Sequence, residues 1–180
     1  MRFLLLLVAC GLLFLSTVAV PLPADTVTLQ VSRLPSNGLL LTQGWRYQLG
    51  DNPQWARPDF DDSAWDTLDP TRLRRELPAV LGMKISWLRL RFRLGDSLHQ
   101  REVLMSAWLI GTCEIYLNGH LLAHQGLNDA DAARVLPHGL VGPVVLPTGA
   151  PAEQVLAVRY APGQPLLRGN SYRPQFAIRL

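Results

Sequence analysis

The segment GWRYQLGDNPQWARPDFDDSAW, residues 44–65, decides the fold of this 180-residue chain. Its first residues alternate, with Trp45 and Tyr47 on one side of a predicted strand and Arg46 and Gln48 on the other. The segment then becomes a loop rich in proline and aspartate, and it closes on another tryptophan. A strand that runs into such a loop is typical of an all-β domain.

Aromatic and acidic side chains of this segment are predicted to be structural anchors. Bulky rings in an irregular segment need an apolar surface elsewhere in the chain, and loop aspartates can bond their own backbone in turns. Residues 62–64 could also start a single helical turn. The predicted anchors are Trp45, Trp55, Phe60, Asp61, Asp62 and Trp65. We therefore expect the segment to strap one edge of a β-sandwich.

Three neighbouring carboxylates raise the alternative of a calcium site. Asp59, Asp61 and Asp62 lie close together in the sequence, and Ca²⁺ takes about six to eight oxygen ligands at defined positions. The segment lacks a spacing that would supply them, so turn capping is the favoured interpretation. No metal ion and no cofactor are predicted.

The segment KISWLRLRFRL, residues 84–94, is the clearest predicted strand. Its leucines and phenylalanine alternate with a row that holds Trp87, Arg89, Arg91 and Arg93, so a slip of one residue would bury the arginines. The favoured interpretation of this row is a solvated face whose aliphatic stems cover apolar neighbours. The alternative is a ligand platform, on which Trp87 stacks against a sugar ring and an arginine bonds its hydroxyl groups.

Short apolar or alternating runs, separated by turn signals, continue through the rest of the chain. Asn118 and Gly119 stand between two such runs and predict a two-residue type I′ hairpin turn. A short helix is open to residues 129–135. The other predicted strands cover residues 26–33, 39–49, 102–111, 113–117, 120–122, 140–146, 154–160 and 172–180. Eight or nine short strands predict an antiparallel β-sandwich or barrel.

Composition excludes several classes of protein. With 48% hydrophobic and 17% charged residues, the chain can bury a core and is not disordered in bulk. Basic residues outnumber acidic ones by 17 to 14, but they are dispersed, and only Arg72, Arg74 and Arg75 lie close together. A nucleic-acid-binding face needs clustered basic residues, so nucleic acid is not a predicted partner.

The first 24 residues have the order of a secretory signal peptide. An arginine precedes an apolar run at residues 3–15, and small residues and prolines follow it. Cleavage after Ala19 or after Ala24 would fit. An uncleaved membrane anchor stays the alternative, because the apolar run borders on the length that crosses a bilayer.

The cysteines agree with export. Cys10 is too close to the amino terminus for a lipoprotein signal, and its loss with the signal would leave Cys113 as the only thiol. No intramolecular disulfide could then form. We predict a bacterial periplasmic location or the exterior of the cell envelope, with residues 25–180 as a single domain.

No group of residues has a catalytic or zinc-binding spacing. The chain lacks the G-x-S-x-G and H-E-x-x-H motifs. His120 and His124 flank a predicted strand and do not converge like ligands on a helix, and zinc usually takes three or four protein ligands. Glycoside hydrolysis needs two carboxylates that flank one bond, and the glutamates are scattered, at Glu76, Glu102, Glu114 and Glu153. The chain is therefore predicted not to be an enzyme.

Several motifs together resemble the galactose-binding-like jelly roll. They are Trp45 with Gly50-Asp51, Trp55-Ala56, Pro58-Asp59-Phe60-Asp61-Asp62-Ser63 with Trp65, Trp87-Leu88-Arg89, and Ile115-Tyr116-Leu117-Asn118-Gly119 with Gly126. This fold occurs in the sugar-binding domain of family-2 glycoside hydrolases. The chain also resembles the extracytoplasmic module at the front of bacterial membrane sensors. The motif Asp69-Pro70-Thr71 is more similar to this sensor module than to the domain of the hydrolases. In the hydrolases the domain is non-catalytic, and the catalytic carboxylates lie in a separate barrel.

The favoured hypothesis is a non-catalytic, extracytoplasmic ligand-binding or sensory module of a bacterial signalling protein. Its expected ligand is a carbohydrate or another small polar molecule, and its expected partner is a membrane signalling protein. The alternatives are a sugar-binding accessory domain of a family-2-like glycoside hydrolase and a structural domain that docks on another protein. Contact with a membrane would need an uncleaved signal or further helices after residue 180. The predicted ligand-binding residues are Trp87, Arg89, Arg91, Tyr116 and His124.

Overall fold

The computed structural model describes residues 27–72, 76, 84–99, 101–109, 111–125, 140–147, 153–162 and 175–180. The signal peptide predicted for residues 1–24, Gly126 and the helix considered for residues 129–135 lie outside these described residues. Among the described residues, no helix combines the length and the apolar character needed to cross a bilayer.

Eleven strands form the described part of the chain, with single turns of 3-10 helix at Pro53–Ala56 and Asp96–Leu98. The strands are β1 (Leu29–Val31), β2 (Leu39–Leu40), β3 (Trp45–Leu49), β4 (Asp66–Leu68), β5 (Ser86–Leu94), β6 (Val103–Trp108), β7 (Gly111–Leu117), β8 (His120–Gln125), β9 (Leu140–Leu146), β10 (Glu153–Pro162) and β11 (Gln175–Arg179).

The strands form two sheets that face each other as a sandwich. The larger sheet has seven strands in the order β4-β3-β5-β10-β7-β8, with β1 beside β5, and the smaller has the order β2-β11-β6-β9. Every described pair is antiparallel except β1 with β5, which run parallel. The predicted all-β sandwich is confirmed, and this one parallel pair is an addition to the predicted antiparallel pattern.

Strand β5 is the centre of the larger sheet, and its predicted register is confirmed. Leu88, Leu90, Phe92 and Leu94 lie in the core between the sheets. Across the core, Trp45 of β3 packs on Phe176 of β11 with ring centroids 4.6 Å apart. Trp45 therefore belongs to the core between the sheets, and it does not pack with the other predicted anchors.

Turns account for one agreement and one difference between the predicted strands and the observed ones. Asn118 and Gly119 adopt positive φ values of 50° and 84°, as a type I′ turn requires, so the predicted hairpin is confirmed. The predicted strand at residues 39–49 is broken by Gly44, whose φ is +80°, so β2 and β3 lie in different sheets. Strand β4 was not predicted, because three residues are too few to show a period.

A buried tryptophan at the end of the loop should carry a large share of the stability. Trp65 is 7% exposed, so we expect Trp65→Ala to lower the free energy of unfolding by about 3–5 kcal/mol. Urea denaturation measures this loss. Trp108→Ala is the control, because Trp108 is 43% exposed and its replacement should cost clearly less than that of Trp65. Equal losses in the two variants would contradict the buried position of Trp65.

The described cysteine should be unreactive in the folded protein. Cys113 of β7 is buried, and burial raises the pKa of its thiol to about 12, so thiolate is scarce at neutral pH. In a Cys10→Ser chain, an aromatic disulfide reagent at pH 8 should label no thiol until denaturant is added. Rapid labelling of the native chain would place Cys113 at the surface.

Candidate functional site

Residues 51–65, called here the strap, cross the outer face of the larger sheet. The sequence predicted that this segment would cover an edge, and that placement is wrong, because the strap lies over the central strand β5. Asn52 caps its 3-10 helix by accepting a hydrogen bond from the Gln54 amide. At residues 62–65 the expected helical turn is a hydrogen-bonded turn, in which the Trp65 amide donates to the Asp62 carbonyl at 3.0 Å.

Arg89 of β5 is the main attachment point of the strap. Its Nε donates to Asp62 Oδ2 at 2.6 Å, and both side chains are almost fully buried. The same guanidinium donates to the carbonyl oxygens of Trp55, Arg57 and Phe60. Burial lowers the pKa of Arg89, and the Asp62 carboxylate acts against that shift. The charge of Arg89 is thus met by a carboxylate and by backbone oxygens of the strap.

Three more arginines of the outer face hold other parts of the strap. Arg91 donates to the Phe60 and Pro58 carbonyls at 2.8 and 3.1 Å. Arg46 of β3 donates to the carbonyls of Ser63 and Trp65, each at 3.0 Å. Arg159 of β10 holds the start of the strap through two bonds to the Asp51 carboxylate, at 2.6 and 2.5 Å. The strap is therefore bound at its start, middle and end.

An aromatic layer fills the space beneath the strap. Trp55 makes edge contacts with Trp65 and Trp87, at centroid distances of 5.1 and 6.2 Å. Phe60 packs against Trp65 at 5.8 Å, and the Arg89 guanidinium lies 5.6 Å from the Phe60 ring. The aromatic residues of the strap thus anchor it to the outer face of the larger sheet. They form a cluster separate from the core that contains Trp45.

The strap corrects two expectations for the arginine row. Arg89 is 1% exposed, so the favoured interpretation of a solvated face is wrong at this residue. Trp87 is 0% exposed, with Trp55 of the strap at its edge and the Tyr116 ring stacked on it, so in this structure neither Trp87 nor Arg89 is open to a ligand from solution. Arg91 is largely covered and is occupied by the strap carbonyls. The alternation of residues along β5 identified the positions that point outward. It carries no information about a distant segment that covers them.

The two aspartates predicted as anchors have different positions. Asp61 is exposed and accepts a hydrogen bond from the Ser63 amide at 2.9 Å, which is the turn expected of it. This backbone bond lowers the pKa of Asp61. Asp62 was expected to cap a turn in the same way, but its carboxylate is instead the buried partner of Arg89.

Beyond the strap, polar groups with one aromatic ring remain open on the outer face. This surface, called here the Tyr116 margin, comprises Asp51, Glu114, Tyr116, His124 and Arg159. Tyr116 donates its hydroxyl to Glu114 at 2.7 Å, and its ring stacks on buried Trp87 with centroids 5.7 Å apart. His124 of β8 is the cross-strand partner of Glu114 and is exposed. Two predicted ligand residues, Tyr116 and His124, are thus brought together here.

The electrostatics of the Tyr116 margin suit binding better than proton transfer. Arg159 contacts both carboxylates, since it bonds Asp51 and lies 3.8 Å from Glu114. The bond to Arg159 lowers the pKa of Asp51. Burial, with the bond to Glu114, raises the pKa of Tyr116 to about 12, so its hydroxyl stays protonated near neutral pH. Across the described ranges, no group of three or more potential ligand side chains is placed to hold a metal ion.

Comparison with known proteins gives one kind of match. No family model matches the chain, and no curated protein matches its sequence. Among solved structures, a glycosyl hydrolase family 2 member from Bacteroides cellulosilyticus DSM 14838 overlays 78% of this chain with a TM-score of 0.53 and 16% identity, over 20% of its own length. The β-glucuronidase of Bacteroides uniformis matches 78% of this chain with a TM-score of 0.53 and 15% identity, over 17% of its length.

A third match has the same character. The β-glucuronidase of an uncultured Clostridium species overlays 78% of this chain with a TM-score of 0.51 and 11% identity, over 28% of its length. This chain therefore has the β-sandwich fold of one part of these enzymes. The resemblance to the galactose-binding-like domain of family-2 glycoside hydrolases is confirmed at the level of fold. The chain spans between 17% and 28% of the length of these three hydrolases.

Sequence reasoning missed how the arginines and the strap aspartates meet. Arg46 and Arg89 are cross-strand neighbours, and like charges directly opposite each other destabilise a sheet. An acidic partner was therefore required, and the strap supplies it. The complementarity between the arginine row and the cluster Asp59, Asp61 and Asp62 was the signal that could have revealed the contact.

The buried ion pair should dominate the attachment of the strap. We expect Asp62→Ala to lower the free energy of unfolding by about 3–5 kcal/mol, because it leaves the Arg89 charge buried without its carboxylate. Chemical denaturation measures the loss. Asp59→Ala is the matched control, since the pair of Asp59 with Arg57 is exposed to solvent and should contribute little to stability. A loss below about 1 kcal/mol in Asp62→Ala would contradict the role of the pair.

Proposed function

We propose that this chain acts as a non-catalytic accessory domain of a glycoside hydrolase with family-2 architecture, and that it contacts carbohydrate. The observation that carries the proposal is the overlay of 78% of the chain on a limited part of a family-2 hydrolase. The part matched is about a fifth of that enzyme, which is the size of one domain among several.

The candidate site supports a binding role over a catalytic one. In the Tyr116 margin both carboxylates are engaged by one guanidinium, and the tyrosine hydroxyl is held by Glu114. A hydrolase needs a pair of carboxylates of which one is kept protonated, whereas the bond to Arg159 lowers the pKa of Asp51. Carboxylate oxygens beside an aromatic ring are suited to accept hydrogen bonds from sugar hydroxyl groups.

The sensory role stays a prediction. The matched enzymes described above are hydrolases, so they favour the accessory domain over the module of a membrane sensor. Export to the bacterial periplasm or cell-envelope exterior is part of the proposal and rests on the signal-like sequence of residues 1–24. Docking on a partner protein is compatible with the accessory role, since such a domain is one part of a larger assembly.

Sugar binding at the Tyr116 margin can be tested by calorimetric titration with a panel of neutral and uronic methyl glycosides. We expect at least one glycoside to bind in the millimolar range or tighter. His124→Ala should weaken it at least about threefold, and Tyr116→Ala at least about tenfold. His120→Ala is the matched control, because His120 is also exposed on β8 but lies at its other end. Failure of every glycoside to bind would overturn the carbohydrate role, and unchanged binding in both variants would overturn the margin as its site.

A further inference from the structure

The hairpin of β7 and β8 contains an irregularity that changes which residues of β8 point outward. Along the pair, Ile115 lies opposite Ala123, but the next residue of β7, Tyr116, lies opposite Leu121. Leu122 is therefore an extra residue without an opposite partner, which makes a β-bulge. Side chains of a regular strand alternate between the two faces of the sheet, and the bulge shifts this alternation by one residue.

The burial of the β8 residues shows the effect of the bulge. Leu122 and Ala123 are neighbours in sequence, yet both pack against the core between the sheets. Leu121 and His124 flank them, and both are exposed, Leu121 at 53%. In a regular strand, residues three positions apart would point to opposite faces. The bulge instead lets Leu121 and His124 share the outer face of the sheet.

These two residues meet the outward residues of the neighbouring strand β7. Leu121 lies opposite Tyr116, and His124 lies opposite Glu114. Directly opposed side chains on one face have Cβ atoms about 4.5–5.5 Å apart, so each pair forms one contact surface. Residues two positions apart along a strand are separated by about 7 Å. The hairpin thus presents an apolar pair, Tyr116 and Leu121, beside a polar pair, Glu114 and His124.

The apolar pair is held in place before any ligand binds. The Tyr116 ring stacks on buried Trp87, and its hydroxyl donates to Glu114. The hairpin turn abuts the strap, since a Cβ atom on Gly119 would lie 3.4 Å from Cδ of Pro58. A surface that is fixed in advance loses little conformational entropy when a ligand binds.

The position of Leu121 distinguishes it from an ordinary exposed leucine. Single apolar side chains are common on protein surfaces and need no explanation. Leu121, however, is aimed by a bulge, a device that re-directs side chains, and it lies directly across from an aromatic ring. Apart from the tyrosine hydroxyl, which Glu114 holds, the side chains of Tyr116 and Leu121 offer only apolar contacts. They are suited to an apolar group and not to a sugar hydroxyl.

We propose that the Tyr116 margin takes glycosides with an apolar aglycone, and that Leu121 determines this preference. The sugar lies on the polar pair, and the aglycone lies on the apolar pair. The separation of about 7 Å between the pairs is close to the width of one pyranose ring, so a sugar on Glu114 and His124 brings its aglycone onto Leu121. The inference rests on the proposed function for the sugar, and it deepens that function by naming the class of glycoside.

Calorimetric titration with paired phenyl and methyl β-D-glycosides of glucose, galactose and glucuronic acid tests the preference. In a pair that binds, the phenyl glycoside should bind at least about fivefold more tightly, because added apolar contact strengthens binding. Leu121→Ser should reduce the ratio of the two affinities to less than about twofold. In the ¹³C-labelled chain, NMR should show nuclear Overhauser contacts between the phenyl protons and the Leu121 methyl groups.

Leu40→Ser is the matched control, because Leu40 is also an exposed leucine but belongs to β2 of the smaller sheet. It should leave the ratio of affinities unchanged, and the melting temperature of each variant checks that it is folded.

The possible failures separate the inference from the proposed function. Equal affinities within every pair, or a preference that Leu121→Ser retains, would overturn the inference and leave the proposed function standing. Absence of the contacts between the phenyl group and Leu121 at saturation would do the same, whatever the stability of the variant. Self-association that Leu121→Ser abolishes in sedimentation would assign Leu121 to a second copy of the chain and overturn the inference. Binding of no glycoside would overturn both.

Discussion

A charged guanidinium buried between the larger sheet and the strap is the constraint on which the rest of this structure depends. Arg89 sits at the centre of the larger sheet and is 1% exposed. An ion of this kind loses several kcal/mol of hydration on burial unless a counter-charge and hydrogen bonds replace the water. Asp62 and three strap carbonyls supply them. The strap therefore compensates a charge that the sheet buries, although the two are separate in sequence.

The covered outer face changes where this fold can meet other molecules. β5 and β10 are buried on both faces at their centres, which is unusual for an antiparallel sheet, where one face is commonly solvated. The strap makes a third layer, and it uses the aromatic rings and arginines that would otherwise form a ligand platform. On the outer face, polar groups remain accessible at the Tyr116 margin.

Local patterns predicted the elements of the fold well, and they failed where distant segments meet. The alternation in β5 predicted which of its residues face the core, and Asn118-Gly119 predicted the hairpin turn, because both features depend on neighbouring residues only. The same alternation placed Arg89 on the outward face. It could not show that Arg89 is covered, or that Asp51 reaches Arg159 across 108 positions of sequence. Such contacts are set by tertiary packing, and only charge complementarity between the segments hints at them.

The central claim is that the strap is a fixed layer of the domain, and amide hydrogen exchange tests it most directly. The Trp65 amide bonds to Asp62 and the Trp55 amide to Asn52, each at 3.0 Å and both within the strap. Amides in elements that open only with global unfolding exchange far more slowly than amides in mobile loops. The account predicts that the Trp55 and Trp65 amides exchange about as slowly as those at the centre of β5. Exchange at the rate of an unstructured peptide in the strap, with β5 still protected, would contradict it.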